Sequence, residues 1–111
     1  MMELQDLRQR AIAVRTQYAA VERSRYGRSW TNEEIMLGFV GDVGDLAKLV
    51  MAQAGVRAIP DAKAKLAHEL ADCLWAILVL ADQYQVDLEQ AFLHTMTEIE
   101  ASLNAQPDGA A

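Results

Sequence analysis

The strongest constraint on the fold of this 111-residue chain is the segment 70–81. Eleven of its twelve residues are apolar, and the exception is Asp72. A helix that is apolar on every side is buried all round, either at the centre of a bundle or at a subunit interface. An ionised carboxylate in such surroundings is costly unless it is paired or bound to a cation. Asp72 is therefore the first candidate for a functional residue.

Apolar residues recur at spacings of three and four in four segments of the chain, and no strand-like alternation competes with them. Glycine and proline separate the segments by short connections, so neighbouring helices should be antiparallel. The pattern predicts an all-α, antiparallel four-helix bundle over residues 1–105, followed by a flexible tail at 106–111. The apolar positions expected to pack are Phe39, Val40, Val43, Leu46, Ala47 and Val50 on the second helix, and Leu66, Leu70, Leu74, Ile77 and Ala81 on the third.

Several residues predict where the helices begin and end. The first apolar seam is about 20 residues long and stops near residue 24, before a loop in which Gly27 is the breaker. Thr31 and Glu34 fit a capping box that opens the second helix. Asp61 and Asp87 are the expected N-caps of the third and fourth helices.

The charges are unevenly distributed along the sequence. The net charge is −6, yet all ten basic residues lie between Arg8 and Lys65, and residues 66–111 carry acids alone. No basic stripe of the kind that neutralises phosphates is present, so we expect no nucleic-acid partner. The single cysteine, the shortness of the apolar runs and a start without the pattern of a secretory signal predict a cytoplasmic protein with no membrane partner.

Two acidic pairs have the same spacing. Asp42 and Asp45 lie at i and i+3 beside the apolar face of the second helix, and Glu69 and Asp72 repeat this spacing on the third. Helices that converge could bring all four carboxylates to one point, where a hard divalent cation such as Mg²⁺ is the natural partner. The second helix also carries two glycines next to its acids, Gly41 and Gly44. Glycines in the middle of a helix often mark the close approach of another backbone or of a ligand.

A di-iron carboxylate bundle is a rival interpretation of these acids. It requires Glu-x-x-His on two helices. His68 and His94 are preceded at that spacing by Lys65 and Ala91, so this rival is disfavoured.

At the acidic pairs the sequence resembles a known family. Residues 37–47, Leu-Gly-Phe-Val-Gly-Asp-Val-Gly-Asp-Leu-Ala, are similar to the L-x-x-V-G-E-V-G-E-L-A of the small dCTP-pyrophosphatase branch of the MazG-like all-α nucleoside triphosphate pyrophosphohydrolases. Residues 69–72, Glu-Leu-Ala-Asp, resemble the E-L-x-D that follows in that family, and residues 80–91 resemble the beginning of its last helix. The resemblance covers roughly residues 26–93. It implies a MazG-like bundle. Because the nearly all-apolar third helix has more surface than one four-helix unit covers, we expect a homodimer or a dimer of dimers.

The resemblance also implies an activity. A nucleoside triphosphate would be hydrolysed between its α and β phosphates, with Mg²⁺ as the metal and Mn²⁺ as a substitute, to give a monophosphate and pyrophosphate. Asp45 and Glu69 would be the candidates for the proton acceptor, and Tyr26 and Trp30 would fall near the base pocket. Packing of Trp30 against the core at the start of the second helix is an equal alternative. The metal ligands implied by the resemblance are Asp42, Asp45, Glu69 and Asp72.

The sequence departs from the family pattern in two places. The first acidic pair is Asp-Asp where the family usually has Glu-Glu, so each side chain is one methylene shorter. The last helix usually carries a lysine and an asparagine that meet the substrate, and residues 93–100 supply neither. The alternative function is therefore a catalytically impaired MazG-like helical protein with a binding or regulatory role.

Overall fold

The computed structural model describes residues 3–106, which form four α-helices without any strand. The helices are α1 (Leu4–Tyr26), α2 (Asn32–Gln53), α3 (Ala62–Gln83) and α4 (Leu88–Asn104). The predicted all-α fold with four helices is thus confirmed. The predicted tail begins at Gln106, which is exposed, and the remaining tail residues, 107–111, lie outside the described residues.

Helix α3 is the central element of the fold. Helix α2 packs along it over much of its length, and α1 packs on it less extensively, whereas α4 makes only slight contact with the other helices. The core consists of a small cluster of buried residues with partly buried residues around it. The buried members are Ala11, Ile35, Leu78 and Val79, and the surrounding members are Leu4, Trp75, Leu80 and Leu88. Helix α4 contributes no buried residue.

The predicted helix ends are mostly, but not all, as expected. Thr31 and Glu34 form the capping box at the start of α2, where each side chain accepts a hydrogen bond from the other residue's backbone N–H. The Asp87 side chain accepts a hydrogen bond from a backbone N–H at the start of α4. Asp61 occupies the N-cap position of α3 as predicted, but its φ is +54° and its side chain accepts no capping hydrogen bond.

The sequence predicts that the first helix stops near residue 24, and the observed helix is longer by about half a turn. Helix α1 continues through Tyr26 and ends where Gly27 adopts a φ of +79°. The N–H of Gly27 donates to the Arg23 carbonyl, so a left-handed glycine ends the helix in the usual manner. The longer helix carries Arg25 and Tyr26 beyond the end of the predicted apolar seam.

The expectation that α3 is buried all round is wrong for a single chain. Its buried residues are Cys73, Ala76, Leu78 and Val79. The stripe predicted to pack is instead largely exposed, with Leu70 at 52%, Leu74 at 42% and Ile77 at 38%. On α2 the same holds for Val40, Val43 and Val50, while Ile35 and Leu49 are buried. We call these six exposed side chains (Val40, Val43, Val50, Leu70, Leu74 and Ile77) the exposed apolar face.

Within residues 3–106, no helix has the length and apolar character needed to span a bilayer.

Candidate active site

The acidic pairs of α2 and α3 come together in the structure. Ligand oxygens of Asp42, Asp45 and Glu69 lie within 4.8 Å of one another. Glu69 and Asp72 form a second such group, with His68 as its third member. Because Glu69 belongs to both groups, the four carboxylates form one acidic cluster between the two helices. The chain thus places Asp42, Asp45, Glu69 and Asp72 as the sequence predicts.

Mutual repulsion and burial both act on this cluster. The pKa of Glu69 is raised above its ordinary value, first by burial and then by the charges of Asp42, Asp72 and Asp45. The pKa of Asp42 is raised by burial and by the same kind of repulsion, from Asp72 and Asp45. Each effect disfavours the ionised form, and a nearby cation would reverse it.

Glu69 also carries a carboxylate oxygen with no partner. Its Oε2 is buried and accepts no hydrogen bond from any described residue. A buried oxygen without a partner is costly unless something else occupies its lone pairs. Carboxylate oxygens gathered in this way are the hard ligands that Mg²⁺ and Mn²⁺ take, so the residues present fit such an ion.

Two neighbours of the cluster are less suited to hold a metal. His68 is exposed, and its Nε2 lies 3.0 Å from Oδ2 of Asp72, so it contacts the cluster from outside. Cys73 is buried, and its pKa is raised by burial and by the charges of Asp42, Glu69 and Asp72. Both effects disfavour the thiolate, which is the form that binds a metal.

A cavity of about 600 Å³ opens on one side of the acidic cluster. We call it the aromatic cavity, and Asp42 and Asp72 form part of its wall. The four aromatic side chains that line it are Tyr18, Tyr26, Trp30 and Trp75. Both predicted substrate-binding residues, Tyr26 and Trp30, therefore lie at this cavity. Trp30 is 47% exposed, so much of its indole surface is accessible to a ligand.

Helix α1 forms a wall of this cavity, which the sequence pattern did not predict. Tyr18 is exposed and packs edge-to-face on Trp75, with ring centroids 5.8 Å apart. The Trp75 indole N–H donates to the carbonyl of Ala11 at 3.2 Å. Arg15 and Glu22 also line the cavity. Their spacing of seven residues on one helix was the available signal, but only the fold shows what they contact.

A second cavity, of about 510 Å³, opens on the other side of the acidic cluster. We call it the lysine cavity. Its charged and ionisable lining residues are Asp45, Asp61, Glu69, Lys48, Lys65 and His68. The four carboxylates therefore divide between the two cavities, with two facing each. Lys48 is exposed and borders the acidic cluster.

Sequence comparison gives one family. Searches of curated proteins and of solved structures returned no significant match. The sequence matches the MazG nucleotide pyrophosphohydrolase domain over residues 30–101, which include both acidic pairs and the lysine cavity but not α1. The match does not distinguish the dCTP-pyrophosphatase branch from others. Because it extends over more than half of the chain, this protein belongs to the family of the MazG nucleotide pyrophosphohydrolase domain.

Proposed function

We propose that this protein is a Mg²⁺-dependent nucleoside triphosphate pyrophosphohydrolase, with Mn²⁺ able to replace Mg²⁺. It hydrolyses the bond between the α and β phosphates and releases a nucleoside monophosphate and pyrophosphate. Such an activity would serve to clean the nucleotide pool of the cytoplasm.

The observation that carries this proposal is the buried, unpartnered Oε2 of Glu69 within a cluster of four carboxylates. Among residues 3–106, the one basic side chain within ion-pair distance of the cluster is that of the exposed His68. A divalent ion would supply a partner for this oxygen and offset the charges of the carboxylates. The family membership supports the same type of reaction.

Each part of the site has a role in this scheme. Mg²⁺ held by Asp42, Asp45, Glu69 and Asp72 would neutralise the phosphate oxygens and polarise the scissile bond. A carboxylate of the cluster accepts the proton of the attacking water, for which Asp45 and Glu69 are the candidates. The aromatic cavity takes the nucleoside, with the base against Trp30 and Tyr26.

Turnover assays test the proposal. The protein is incubated with Mg²⁺ and a panel of ribo- and deoxyribonucleoside triphosphates, dCTP included, and the products are separated and identified. We expect a monophosphate and pyrophosphate, with turnover lost in Asp72→Asn. Glu33→Gln, at an exposed acid of α2 outside the cluster, is the matched control and should retain turnover. Absence of turnover with every nucleotide, or full turnover by Asp72→Asn, would contradict the proposal.

A second candidate function rests on the charge of α4. This helix has no lysine or arginine, so it offers a triphosphate no cation of its own. The alternative is a catalytically impaired binding or regulatory protein that retains the metal site. Calorimetric titration with Mg²⁺ distinguishes the cases: a binding protein takes up the ion without turnover, and an enzyme shows both.

We also propose that the protein is a homodimer or a homotetramer. The exposed apolar face repeats at helical spacings on both α2 and α3, and α4 buries none of its side chains in the single chain. Large exposed apolar surfaces of this kind mark sites of association. A second copy of the chain would bury both the exposed apolar face and the apolar side chains of α4. Light scattering should give a mass of two or four chains, and Val43→Glu should reduce it, whereas a monomeric wild-type protein would refute this assembly.

A further inference from the structure

We propose that the lysine cavity binds the pyrophosphate end of the substrate through Lys48 and Lys65. The substrate would then lie across the acidic cluster, with its nucleoside in the aromatic cavity and its β and γ phosphates in the lysine cavity. This inference rests on the proposed function, because it assigns a direction to the substrate of the same site.

The order of residues along the two helices supports this direction. On α2 the sequence runs from Asp42, at the aromatic cavity, to Asp45 and then Lys48, at the lysine cavity. On α3 the residues follow in the opposite sequence order, with Asp72 at the aromatic cavity and Lys65 at the lysine cavity. Both helices therefore lead from the aromatic cavity, past two carboxylates, to a lysine. A nucleoside triphosphate has the same order of chemical groups, from base to α phosphate to terminal phosphates.

The lysine cavity offers an anion two lysines, beside the carboxylates of Asp45, Asp61 and Glu69. Lys48 and Lys65 form no ion pair with any residue between 3 and 106. Three arginines elsewhere are already engaged, each by a carboxylate: Arg8, Arg15 and Arg28. Ammonium groups donate strong, charge-assisted hydrogen bonds to phosphate oxygens. The two lysines are therefore cations that remain available beside the acidic cluster.

Lys48 and Lys65 lie near the acidic cluster without pairing with its carboxylates. Lys48 lies one turn beyond Asp45, and Lys65 one turn before Glu69, yet neither ammonium lies within ion-pair distance of these acids. The cavity between them has a volume of about 510 Å³, within the usual range for a small-ligand site. An anion bound in this cavity would contact both lysines and would lie next to Asp45 and Glu69 of the acidic cluster.

The chemical step is consistent with this placement. The oxygen of a water molecule forms a bond to the α phosphorus, and the bond from that phosphorus to the bridging oxygen breaks. The electron pair of the broken bond leaves with the pyrophosphate, and the proton of the water passes to a carboxylate of the cluster. The negative charge that develops on the leaving group then lies next to Lys48 and Lys65, which would stabilise it.

Pyrophosphate and the monophosphate product serve as the probes. Lys48→Met and Lys65→Met each remove one ammonium group and keep most of the side-chain length, and Lys63→Met is the matched control on an exposed position of α3 outside the cavity. Binding of pyrophosphate with Mg²⁺ is measured by calorimetry, and inhibition of turnover by each product is measured separately. We expect each cavity variant to bind pyrophosphate about tenfold more weakly, with monophosphate inhibition unchanged. Lys48→Arg should restore most of the pyrophosphate affinity.

The outcomes separate this inference from the proposed function. Equal pyrophosphate affinity in Lys48→Met, Lys65→Met and Lys63→Met would overturn the inference even in an active enzyme. Monophosphate inhibition weakened to the same extent as pyrophosphate inhibition would also overturn it, because the lysines would then not be specific to the leaving group. If the wild-type protein hydrolyses no nucleotide, the proposed function fails, while the calorimetric comparison of the three variants still decides whether Lys48 and Lys65 bind pyrophosphate.

Discussion

Glu22 of α1 accepts a hydrogen bond of 2.7 Å from the backbone N–H of Trp30, in the loop before α2. Arg15 donates a hydrogen bond of 2.8 Å to the Trp30 carbonyl and forms an ion pair with Glu22 at 3.2 Å. The two polar backbone groups of Trp30 are thus held by two side chains that also hold each other. Both charged side chains are largely buried, with 12% and 11% exposure. This contact fixes one wall of the aromatic cavity to α1.

Removal of the cation in this pair should destabilise the fold. In Arg15→Met the buried Glu22 carboxylate loses its cation and keeps the Trp30 N–H as a donor, while the Trp30 carbonyl loses the Arg15 donor. Breaking a largely buried ion pair at one side costs about 3 kcal/mol, so we expect a loss of that size in the free energy of unfolding. Urea denaturation followed by circular dichroism measures it. Arg10→Met, at an exposed position of the same helix, is the control and should change the stability by less than about 0.5 kcal/mol.

Trp30 should contribute more to nucleotide binding than to stability. Its ring is 47% exposed and lies over α2, where its Cζ3 would be 3.8 Å from a Cβ added at Gly38. Stacking on a base is worth about 1–3 kcal/mol, so Trp30→Ala should raise KM by about tenfold with kcat little changed. Trp30→Phe keeps a ring and should recover part of the affinity. Steady-state kinetics on the best substrate of the panel provide the measurement. A large loss of stability with an unchanged KM would instead favour the packing role.

The sequence predicted the acidic cluster better than the cavities beside it. Asp42, Asp45, Glu69 and Asp72 could be placed because spacing on a helix fixes a face, and because a resemblance paired the two helices. Arg15 could not be assigned a role, since its contact with Trp30 joins residues 15 positions apart through a turn whose geometry depends on the whole fold. Which helix faces pack together depends on the whole fold in the same way.

The exposed apolar face illustrates a second limit. Periodicity shows that Leu70, Leu74 and Ile77 share a side of α3, but it does not show whether that side packs within the chain or against another copy. In the structure the buried side is instead that of Ala76 and Val79. A helix with apolar residues all round has two sides that could pack against another element. Only the three-dimensional structure shows which side packs within the chain.

Neutralising one acid of the cluster should stabilise the metal-free protein and abolish its response to metal. The pKa of Asp42 is raised by burial and by Asp72 and Asp45, so the folded state binds its proton more tightly than the unfolded state does. Stability from this group is therefore largest at low pH and declines as pH rises through the raised pKa. At neutral pH its charge is unfavourable, and Asp42→Asn should raise the melting temperature of the metal-free protein.

Metal addition should reverse that order. An ion at 100 times its dissociation constant stabilises the folded state by about 2.7 kcal/mol, and the wild-type protein should gain this amount. Asp42→Asn should gain much less, because one ligand is missing. Thermal melts of the wild-type protein and of Asp42→Asn, each in EDTA and in Mg²⁺, provide the comparison. If the wild-type protein melts at the same temperature in both buffers, the acidic cluster does not bind the ion.

The capping box of α2 should produce a pH-dependent loss of stability in acid. Arg28 donates two hydrogen bonds to Glu34, which lower the pKa of this carboxyl from 4.5 to about 2, with a further contribution from the Thr31 backbone. Because the folded pKa is depressed, the stabilisation is present above pH 4.5 and is lost as pH falls towards 2. Glu34→Gln should be less stable than the wild type at pH 6, and the difference should shrink between pH 4.5 and 2. Urea melts at a series of pH values measure this difference, and a constant difference would contradict the assignment.

Gly44 provides a test of the proposed assembly. The sequence suggested that Gly41 and Gly44 mark the close approach of another backbone or ligand, but nothing in the described chain lies within 4 Å of a Cβ added at either position. If the chain acted alone, Gly44→Ala would simply add about 1 kcal/mol of helix propensity. If a second copy packs against the exposed apolar face, the added methyl group should lower the association constant while the monomer becomes more stable. Sedimentation equilibrium and thermal melts of the same variant separate the two effects, and a more stable variant with unchanged association would show that no copy approaches α2 at this glycine.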